Sequence, residues 1–443
     1  MLRSCCVYGA GILCVLLLIA GIAMALTQVF QKLINNTIKE VSEYECVVFF
    51  ISYLFNKSHI CVSSFREYRP KEEVKFLDNG TRVEAVNPKT YVFEPNMSRG
   101  SEDDIVRTVN IPAVTVMEKA KGRWFEGFVS ALMKSNNIGV FGTFRVGDLL
   151  WGYEDPLLKL IQKFITMDDH FGLFYKKNGT DDGDYIFFTG KQNYQDFARI
   201  DEWNGQSTLN WWSTEGCNRI NGTDGASFHP VITKTEKLYI FSPDLCRSIY
   251  AQYESDVSVR GVPGFRFVPP SEVFANLTIN PDNAGFCVPA GNCLGSGLLN
   301  VSVCKEGVPI IMSSPHFYQA DDRFVQDVFG MNPNKEEHET VIDVNPLTGM
   351  LLRGAKRVQV NVYLVFLHFC LFLSSKRFHP VFQSVLIDEE SAKKLYAVVT
   401  EANVIVNIPF IVISVGILLG VIFIVFMCRQ QTPAVRLTHH FLH

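Results

Sequence analysis

Two uncharged hydrophobic runs, one near each end of the chain, limit most strongly what this sequence can fold into. Residues 7–30 and 404–427 each span 24 positions without Asp, Glu, Lys or Arg. At a rise of about 1.5 Å per residue, a helix of that length crosses a bilayer core of roughly 30 Å. The sequence therefore predicts two transmembrane helices that enclose residues 31–403. A cleaved signal peptide is the alternative for the first run, because residues 23–25 read Ala-Met-Ala.

The charges beside the second run indicate its orientation. Glu401 precedes it, whereas Arg429 and Arg436 follow it. The positive-inside rule then places the carboxyl end in the cytoplasm. With two spans, residues 1–6 and 428–443 are both predicted to be cytoplasmic tails.

Sequons of the form Asn-x-Ser/Thr occur between the two hydrophobic runs and in neither short tail. N-glycosylation takes place in the secretory lumen, so this distribution predicts that residues 31–403 face the lumen. The predicted glycosylation sites are Asn35, Asn56, Asn79, Asn96, Asn178, Asn221, Asn276 and Asn300.

The cysteines divide between the same two compartments. S-acylation and an ordinary reduced thiol are equal alternatives for the three at the cytoplasmic ends of the spans, namely Cys5, Cys6 and Cys428. Cys14 lies inside the first run and is expected to pack there. Disulfides persist in the lumen, where five more lie together: Cys217, Cys246, Cys287, Cys293 and Cys304. Because five is odd, one of them should stay unpaired.

Composition supports a large folded luminal part and excludes a nucleic-acid partner. Hydrophobic residues make up 47% of the chain and charged residues 19%, so a sizeable core is expected. The net charge is -4, and Lys and Arg form no basic stripe. From residue 66 onward, short β-type segments alternate with Gly, Pro and Asn, which predicts a mainly antiparallel β body.

Residues 117–174 switch to a helical period. Pro156 is predicted to begin a new helix directly after Asp155. One helical face carries Leu150, Tyr153, Leu157, Ile161 and Phe164. We favour the interpretation that this stripe mainly packs a local helical bundle, with binding of a partner by part of it as the alternative.

Catalytic motifs are missing from the sequence. Gly295-Ser296-Gly297 lacks the spacing of a nucleophile elbow, and Glu337-His338-Glu339 lacks the second histidine of a zinc protease. The Cys-x5-Cys spacing of Cys287 and Cys293 does not fit a zinc knuckle. We therefore expect no enzyme activity, no cofactor and no metal. A membrane-tethered glycoside or lipid hydrolase is the rival interpretation, and it would need paired carboxylates in a cleft.

Several separate stretches together resemble the class B scavenger receptor family. They are residues 104–112 (DIVRTVNIP), 149–153 (LLWGY), 171–175 (FGLFY), 178–185 (NGTDDGDY), 203–205 (WNG), 221–225 (NGTDG), 246–248 (CRS) and 315–317 (PHF). The resemblance covers residues 1–40, 66–363 and 385–428.

The resemblance implies an α+β fold. A luminal antiparallel β-barrel core carries an apical helical bundle and is flanked by N- and C-terminal transmembrane helices. A hydrophobic tunnel through the barrel would hold lipids such as cholesterol or phospholipid. The family pattern pairs Cys246 with Cys304 and Cys287 with Cys293, which leaves Cys217 unpaired.

The lysosomal members of the family imply a function in hydrolase trafficking. Their apical bundle binds acid β-glucosidase and releases it at low pH, which here implies a receptor of the lysosomal membrane. The matching contact residues would be Leu149, Leu150, Trp151, Tyr153, Leu157 and Ile161. The alternative is a receptor for lipoproteins and fatty acids at the plasma membrane or in endosomes. Self-association into a homodimer is left open.

The chain departs from the family pattern at several places. Thr143-Phe144-Arg145 stands where the lysosomal members have a histidine suited to pH sensing. Acid release would then rest elsewhere, for example on His170, or be weaker, and the favoured alternative is that His170 is an exposed residue without this role. The tail, residues 428–443, lacks an acidic-dileucine sorting signal. Residues 41–65 and 364–384 are atypical, as an incorrect exon boundary or a splice variant would produce. We expect these two segments to leave barrel edges unpaired.

Overall fold

A computed structural model describes residues 2–40, 48–53, 64–98, 100–162, 164, 168–289, 291–366, 369–373 and 380–431. The chain divides into two compact units. One consists of Met1–Ser42 with Lys393–His443, and the other of Glu43–Ala392. The predicted glycosylation site Asn56 lies outside the described residues.

The described chain contains ten α-helices, most of them short. They are α1 Leu2–Thr27, α2 Val29–Glu40, α3 Ile111–Ala120, α4 Glu126–Ser135, α5 Val146–Trp151, α6 Pro156–Ile161, α7 Glu215–Asn218, α8 Asp322–Gln326, α9 Lys335–His338 and α10 Glu389–Gln431. By length and composition, α10 can cross a membrane over Glu389–Cys428. A second candidate span is bent. It consists of Gly11–Thr27 and Val29–Asn35, which meet at an angle of 44° and together are long and apolar enough to cross a membrane as one broken helix.

Small residues bring α1 and α10 close together within the first unit. A Cβ atom placed on Gly416 would lie 3.0 Å from the side chain of Leu18, and one on Gly420 would lie 3.0 Å from the Cys14 sulfur. The Cys14 thiol donates a hydrogen bond to the Gly416 carbonyl at 3.1 Å. Two glycines four residues apart allow such close packing of apolar helices. Cys14 is buried at this contact, which confirms that it packs inside the first helix.

The second unit is rich in strands. They are β1 Val48–Tyr53, β2 Ser64–Tyr68, β3 Glu72–Leu77, β4 Arg82–Val86, β5 Thr90–Phe93, β6 Ile105–Val109, β7 Phe141–Arg145, β8 Tyr153–Glu154, β9 His170–Phe171, β10 Asp184–Phe188, β11 Ile200–Trp203, β12 Lys237–Ser242, β13 Arg247–Val259, β14 Val262–Val268, β15 Leu298–Asn300, β16 Ile310–Ser313, β17 Val341–Val344, β18 Leu351–Phe366, β19 Phe369–Leu373 and β20 Pro380–Leu386.

One large sheet contains 12 of these strands, and every pair within it is antiparallel, as predicted. Its main path runs β12-β13-β14-β17-β18-β20-β1-β2-β5, with β16 and β19 added to β18 and β15 added to β16. The fold thus mixes helices and sheet. The predicted closed barrel is not seen among the described strands, because the path ends at β12 and at β5 without a pairing between them.

Two local features explain the order of strands in the sheet. Arg260 and Gly261 both have positive φ, at 50° and 85°, and so join β13 and β14 by a two-residue turn that matches the strand twist. The buried Asp343 on β17 lies directly opposite Arg266 on β14 and Arg353 on β18. Its carboxylate accepts hydrogen bonds from them at 2.7 and 2.8 Å, so one acid joins three neighbouring strands.

The described parts of the two atypical segments are paired. Strand β1, within residues 41–65, lies between β20 and β2. Strand β19, within residues 364–384, pairs with β18. Among the described strands the large sheet still has unpaired edges, because its path ends at β12 and at β5 and because β19 pairs with β18 alone.

Candidate functional site

The helical region contains α3 to α6 with the strand pairs β6–β7 and β8–β9. Helix α6 begins where the sequence predicts it. The Asp155 carboxylate accepts hydrogen bonds from the Leu157 and Leu158 amides at 2.9 and 3.0 Å, and Pro156 occupies the first turn. This cap satisfies two amides that would otherwise lack partners. It fixes α6 against the hairpin formed by β8 and β9, because the Asp155 amide donates to the Asp169 carbonyl at 2.8 Å.

Helices α3, α4 and α6 share one apolar core. Its buried members are Ala113, Val116, Ala120, Phe125, Val129, Met133, Leu157, Leu158 and Ile161. Of the helical stripe predicted from the sequence, Leu157 and Ile161 pack in this core, as the favoured interpretation expects. Leu150 lies on α5 and Tyr153 on β8, so the stripe is not one continuous helical face.

Three of the six residues predicted to contact a partner are enclosed in the fold. Leu157 and Ile161 are each 1% exposed and lie in the core of α3, α4 and α6. Leu150 is also buried, and it packs beside Phe65 and Tyr91. As direct contact residues these three predictions need correction, because a side chain inside the core cannot reach a partner without opening the helices.

The other three predicted contact residues are partly buried. The Trp151 indole N–H donates to the Glu102 carboxylate. The Tyr153 hydroxyl donates to Asp155 at 3.4 Å. The Leu149 carbonyl accepts a hydrogen bond from the β9–β10 connection. All three are thus engaged within the protein and present only part of their surface to solvent.

Other aromatic and aliphatic side chains form the exposed surface of this region. Trp124 is 87% exposed, Phe128 47%, Leu160 43% and Phe164 53%. The rings of Phe128 and Phe164 lie 5.2 Å apart, and Leu160 is one helical turn before Phe164. We call these four residues the helical patch. The sequence analysis placed Phe164 on the apolar stripe with Leu157 and Ile161, yet it is exposed.

His170 lies in the hairpin that supports α6. Its Nδ1 is 2.7 Å from an Asp169 carboxylate oxygen, and its ring stacks on Tyr175 with the centroids 5.5 Å apart. Asp168, Asp169 and His170 together offer three ligand atoms within 4.8 Å. The Lys176 ammonium already binds Asp168 at 2.8 Å, so the group is an ion-pair network in this structure.

A cavity of about 170 Å³, partly open to solvent, lies along the large sheet. Most of its wall is apolar. The apolar lining residues include Ile240, Phe241, Ile249, Phe274, Met312, Val341, Ile342, Leu351, Ala355, Val358 and Val385. A mainly apolar wall with a few polar groups is typical of a site for an apolar ligand.

Paired charges occupy the polar part of the cavity wall. Lys356 binds Asp244 at 2.6 Å, and Lys71 binds Asp224 at 3.1 Å. The Lys356 ammonium holds the pKa of Asp244 well below its usual range. Burial opposes ionisation of Asp224, yet Lys71 and a backbone amide lower its pKa. Because these charges neutralise each other, the wall suits a mainly apolar molecule with a small polar group.

Two disulfides close the loops beside this sheet. The structure pairs Cys246 with Cys304 and Cys287 with Cys293, the same pairs that the resemblance implies. Cys217 is buried and takes part in no disulfide. Both bridges lie in the second unit, and their cysteines precede β16 to β20 along the chain.

Comparison with known proteins identifies the family to which this chain belongs. The profile of the CD36 family matches residues 64–427. Rat "Lysosome membrane protein 2" is 44% identical over 464 aligned positions, which cover 97% of this chain and 96% of the rat protein. The human protein of the same name is 43% identical over 461 positions, with 96% of each chain covered. The chain belongs to the CD36 family.

A second group of CD36-family relatives is more distant. Hamster (Cricetulus griseus) "Scavenger receptor class B member 1" is 37% identical over 306 positions, which cover 68% of this chain and 59% of the relative. Membership confirms the resemblance to class B scavenger receptors. The alignment with the rat protein has 464 positions against 443 residues here, so the rat protein has residues without a counterpart in this chain. The family match begins at residue 64, which leaves most of the atypical segment 41–65 outside it.

The CD36-family chain presents several of its sequons at the surface. Exposed asparagines are Asn79, Asn96 and Asn178. Partly exposed ones are Asn35, Asn221, Asn276 and Asn300. Of the predicted acylation sites, Cys428 is exposed near the end of α10, and Cys5 and Cys6 lie in the first turns of α1.

Two histidines stack near the cavity of this CD36-family protein. The rings of His316 and His338 lie 4.4 Å apart and nearly parallel. Each Nδ1 accepts a backbone hydrogen bond, from Asn332 and Asn334 respectively. Burial, with help from His316 and Arg357, lowers the pKa of His338 to about 4. Burial also lowers the pKa of His316. The folded state therefore favours the neutral pair.

We expect His338 to make the protein less stable in acid. Its pKa is about 6.5 when unfolded and about 4 when folded, so the stabilisation is complete above pH 6.5 and is lost as the pH falls toward 4. Between pH 7 and 5 this removes about 2 kcal/mol from the free energy of unfolding. His338→Gln, which keeps an acceptor for the Asn334 amide, should abolish most of that loss in urea unfolding.

The matched control is His229→Gln. A hydrogen bond from His229 to Glu236, 3.1 Å away, raises the His229 pKa despite its burial, so its contribution is lost as pH rises. This variant should therefore increase the loss of stability in acid. An unchanged pH dependence in His338→Gln would contradict the assignment.

Proposed function

We propose that this CD36-family protein is a receptor of the lysosomal membrane that carries a lysosomal hydrolase, acid β-glucosidase, and takes up lipid in its sheet unit. The location is supported by relatives named "Lysosome membrane protein 2" that align over 96% of their length. The observation that carries the receptor function is the helical patch, a set of exposed aromatic and aliphatic side chains over a closed helical core.

The same proposal includes the membrane topology. Residues 7–30 and 404–427 span the bilayer, residues 31–403 face the lumen, and residues 1–6 and 428–443 lie in the cytoplasm. The exposure of several sequon asparagines supports this arrangement, since a glycan needs a surface position. The cysteine pairs also support it, because disulfides persist in the lumen.

Glycan counting tests the topology. In mammalian cells, Asn79→Gln and Asn178→Gln should each remove one glycan and increase electrophoretic mobility, because both asparagines are exposed in sequons. The control Asn137→Gln changes an exposed asparagine outside any sequon and should leave mobility unchanged. An unglycosylated chain that protease digests from outside intact vesicles would overturn the luminal assignment.

The side chains of the helical patch are better suited to burial against a protein partner than to contact with water. Trp124 and Phe164 each expose more than half of their surface, and Phe128 joins Phe164 across α4 and α6. Clustered aromatic anchors are typical of the centre of protein interfaces. The buried Leu157 and Ile161 would support these anchors from below, so they act on binding through the position of α6.

Charge substitutions in the helical patch test hydrolase binding. The double variant Phe128→Asp, Phe164→Asp should weaken pull-down of acid β-glucosidase at neutral pH by at least about tenfold, because it places two charges among the proposed anchors. Phe329→Asp is the matched control, since Phe329 is 78% exposed and lies outside the helical region. Circular dichroism should show native folding for all variants.

Wild-type binding by the double variant would remove the helical patch from this role. Leu157→Asp, in contrast, should unfold the helical core and is no test of contact. Pull-down at about pH 5 extends the same assay to His170, which lies in the hairpin supporting α6. A His170→Gln variant that still releases the hydrolase in acid would exclude His170 as the release group.

The cavity is proposed to hold the lipid, with cholesterol and phospholipid as candidate ligands. Its apolar wall would contact the hydrocarbon part, and the paired Lys356 and Asp244 would meet the polar head group. A receptor for lipoproteins and fatty acids at the plasma membrane is the alternative. The match to "Scavenger receptor class B member 1" favours that alternative.

Filling the cavity tests lipid uptake. Ala355 lines the cavity on β18, so Ala355→Trp should occupy its apolar part and lower cross-linking of a photoreactive cholesterol by at least about tenfold. Ala131→Trp, at an exposed position of α4, is the control for the added indole. Full labelling of a folded Ala355→Trp protein would contradict the assignment of this cavity.

A further inference from the structure

Arg247 is a buried cation at the start of β13. Its side chain is 7% exposed, and its guanidinium lies 3.6 Å from the centre of the Phe286 ring and 5.4 Å from that of Phe274. Its Nε donates a hydrogen bond to the Ser248 carbonyl at 3.2 Å. The residue follows Cys246, whose disulfide fixes the beginning of the strand.

No carboxylate binds Arg247 within the described part of the chain, in contrast to several other cations of the sheet unit. Lys89, for comparison, binds Asp182 at 2.6 Å, and Arg266 binds Asp343 at 2.7 Å. Buried charges are normally paired in this way. Burial lowers the pKa of Arg247 to about 9, which still leaves the guanidinium protonated at neutral and acidic pH.

The guanidinium faces a small pocket of about 40 Å³. Asn283 and Asn292 contribute amide groups to the wall, and Leu277, Leu294 and the Cys287–Cys293 disulfide contribute apolar surface. Within the described residues, no hydrogen bond from the two terminal nitrogens of Arg247 to a protein atom is seen. These nitrogens form the planar end of the guanidinium, which matches two oxygens of one anion.

We propose that this pocket binds a small oxyanion, a carboxylate or a phosphate group, on the terminal nitrogens of Arg247. The Phe286 ring packs against the guanidinium, and the terminal nitrogens remain for the anion. The Asn283 Nδ2 is used in bonds to backbone carbonyls of residues 272, 273 and 275, which holds this side chain in place at the wall.

The pocket is separate in chemistry from the lipid cavity. Phe274 lines both spaces, so its ring forms part of the partition between them. The cavity wall contains charges that are already paired, whereas the small pocket contains a positive charge without a protein counter-charge. The proposal of oxyanion binding therefore does not depend on the proposals of hydrolase binding and lipid uptake.

Titration of the glycosylated full-length protein in detergent tests the inference. The probes are acetate and inorganic phosphate, compared with chloride at constant ionic strength. Trp212 packs on Phe286 with the ring centroids 4.9 Å apart, so tryptophan fluorescence and the thermal midpoint serve as readouts. We expect saturable binding of at least one oxyanion, and chloride should bind more weakly because it cannot use both nitrogens of the fork.

Arg247→Gln should weaken binding of that oxyanion by at least about tenfold. Arg247→Lys should weaken it less, because lysine keeps the positive charge but lacks the two terminal nitrogens of the guanidinium. Arg199→Gln is the matched control. Its guanidinium lies 4.2 Å from the Phe188 ring but already binds Asp196, so affinity should stay as in the wild type.

Some results would overturn the inference. These are wild-type protein that binds neither acetate nor phosphate saturably, an Arg247→Gln variant with wild-type affinity, and chloride binding as tight as that of the oxyanions. If Arg247→Gln does not fold, Leu277→Trp decides the matter, because it fills the pocket from a position that is 40% exposed and leaves the charge in place. Undiminished binding by Leu277→Trp also contradicts the pocket.

Discussion

Strand β18 is the element on which the rest of the sheet unit depends. Its first half pairs with β17 and β20, and its second half pairs with β16 and β19. Ala355 and Lys356 on this strand form part of the cavity wall. Val362, further along, packs against Val109 and Val114 of the helical region. Because one strand forms both contacts, the position of the cavity and the base of α3 are set by the same backbone.

The helical region shows why a conspicuous apolar stripe is a poor guide to a binding surface. Leu157 and Ile161 repeat at helical spacing because α6 must bury one face against α3 and α4. The surface left for a partner consists of residues that this core cannot enclose, such as Phe164 just beyond the end of α6. Enclosed leucines and exposed aromatics then have different functions: the first fix the helix and the second are available for contact.

Local chemistry made part of this structure predictable from sequence. The helix start at Pro156 follows from its own ring and from the carboxylate of Asp155. The membrane-length helix α10 follows from an uninterrupted apolar run, whereas the bend after Thr27 was not predicted. Contacts between distant residues were not predictable. Asp343 meets Arg266 from 77 positions away, and nothing in the local sequence indicates that partner. The cavity arises from many such pairings, and the family resemblance, not residue spacing, indicated its presence.

The buried histidines imply that acid acts on this protein locally. For His229 the pKa is raised, so its pairing with Glu236 contributes below the unfolded value and is lost as pH rises. For His338 the pKa is lowered, so its contribution is lost as pH falls. In an acidic compartment the two effects oppose each other in total stability. The segment before β12, which contains His229 and Glu236, is then stabilised. The corner of the fold where His316 stacks on His338 is destabilised. Since Tyr318 and Glu339, close to that corner, line the cavity, acid would act on the cavity wall before it acts on the whole fold.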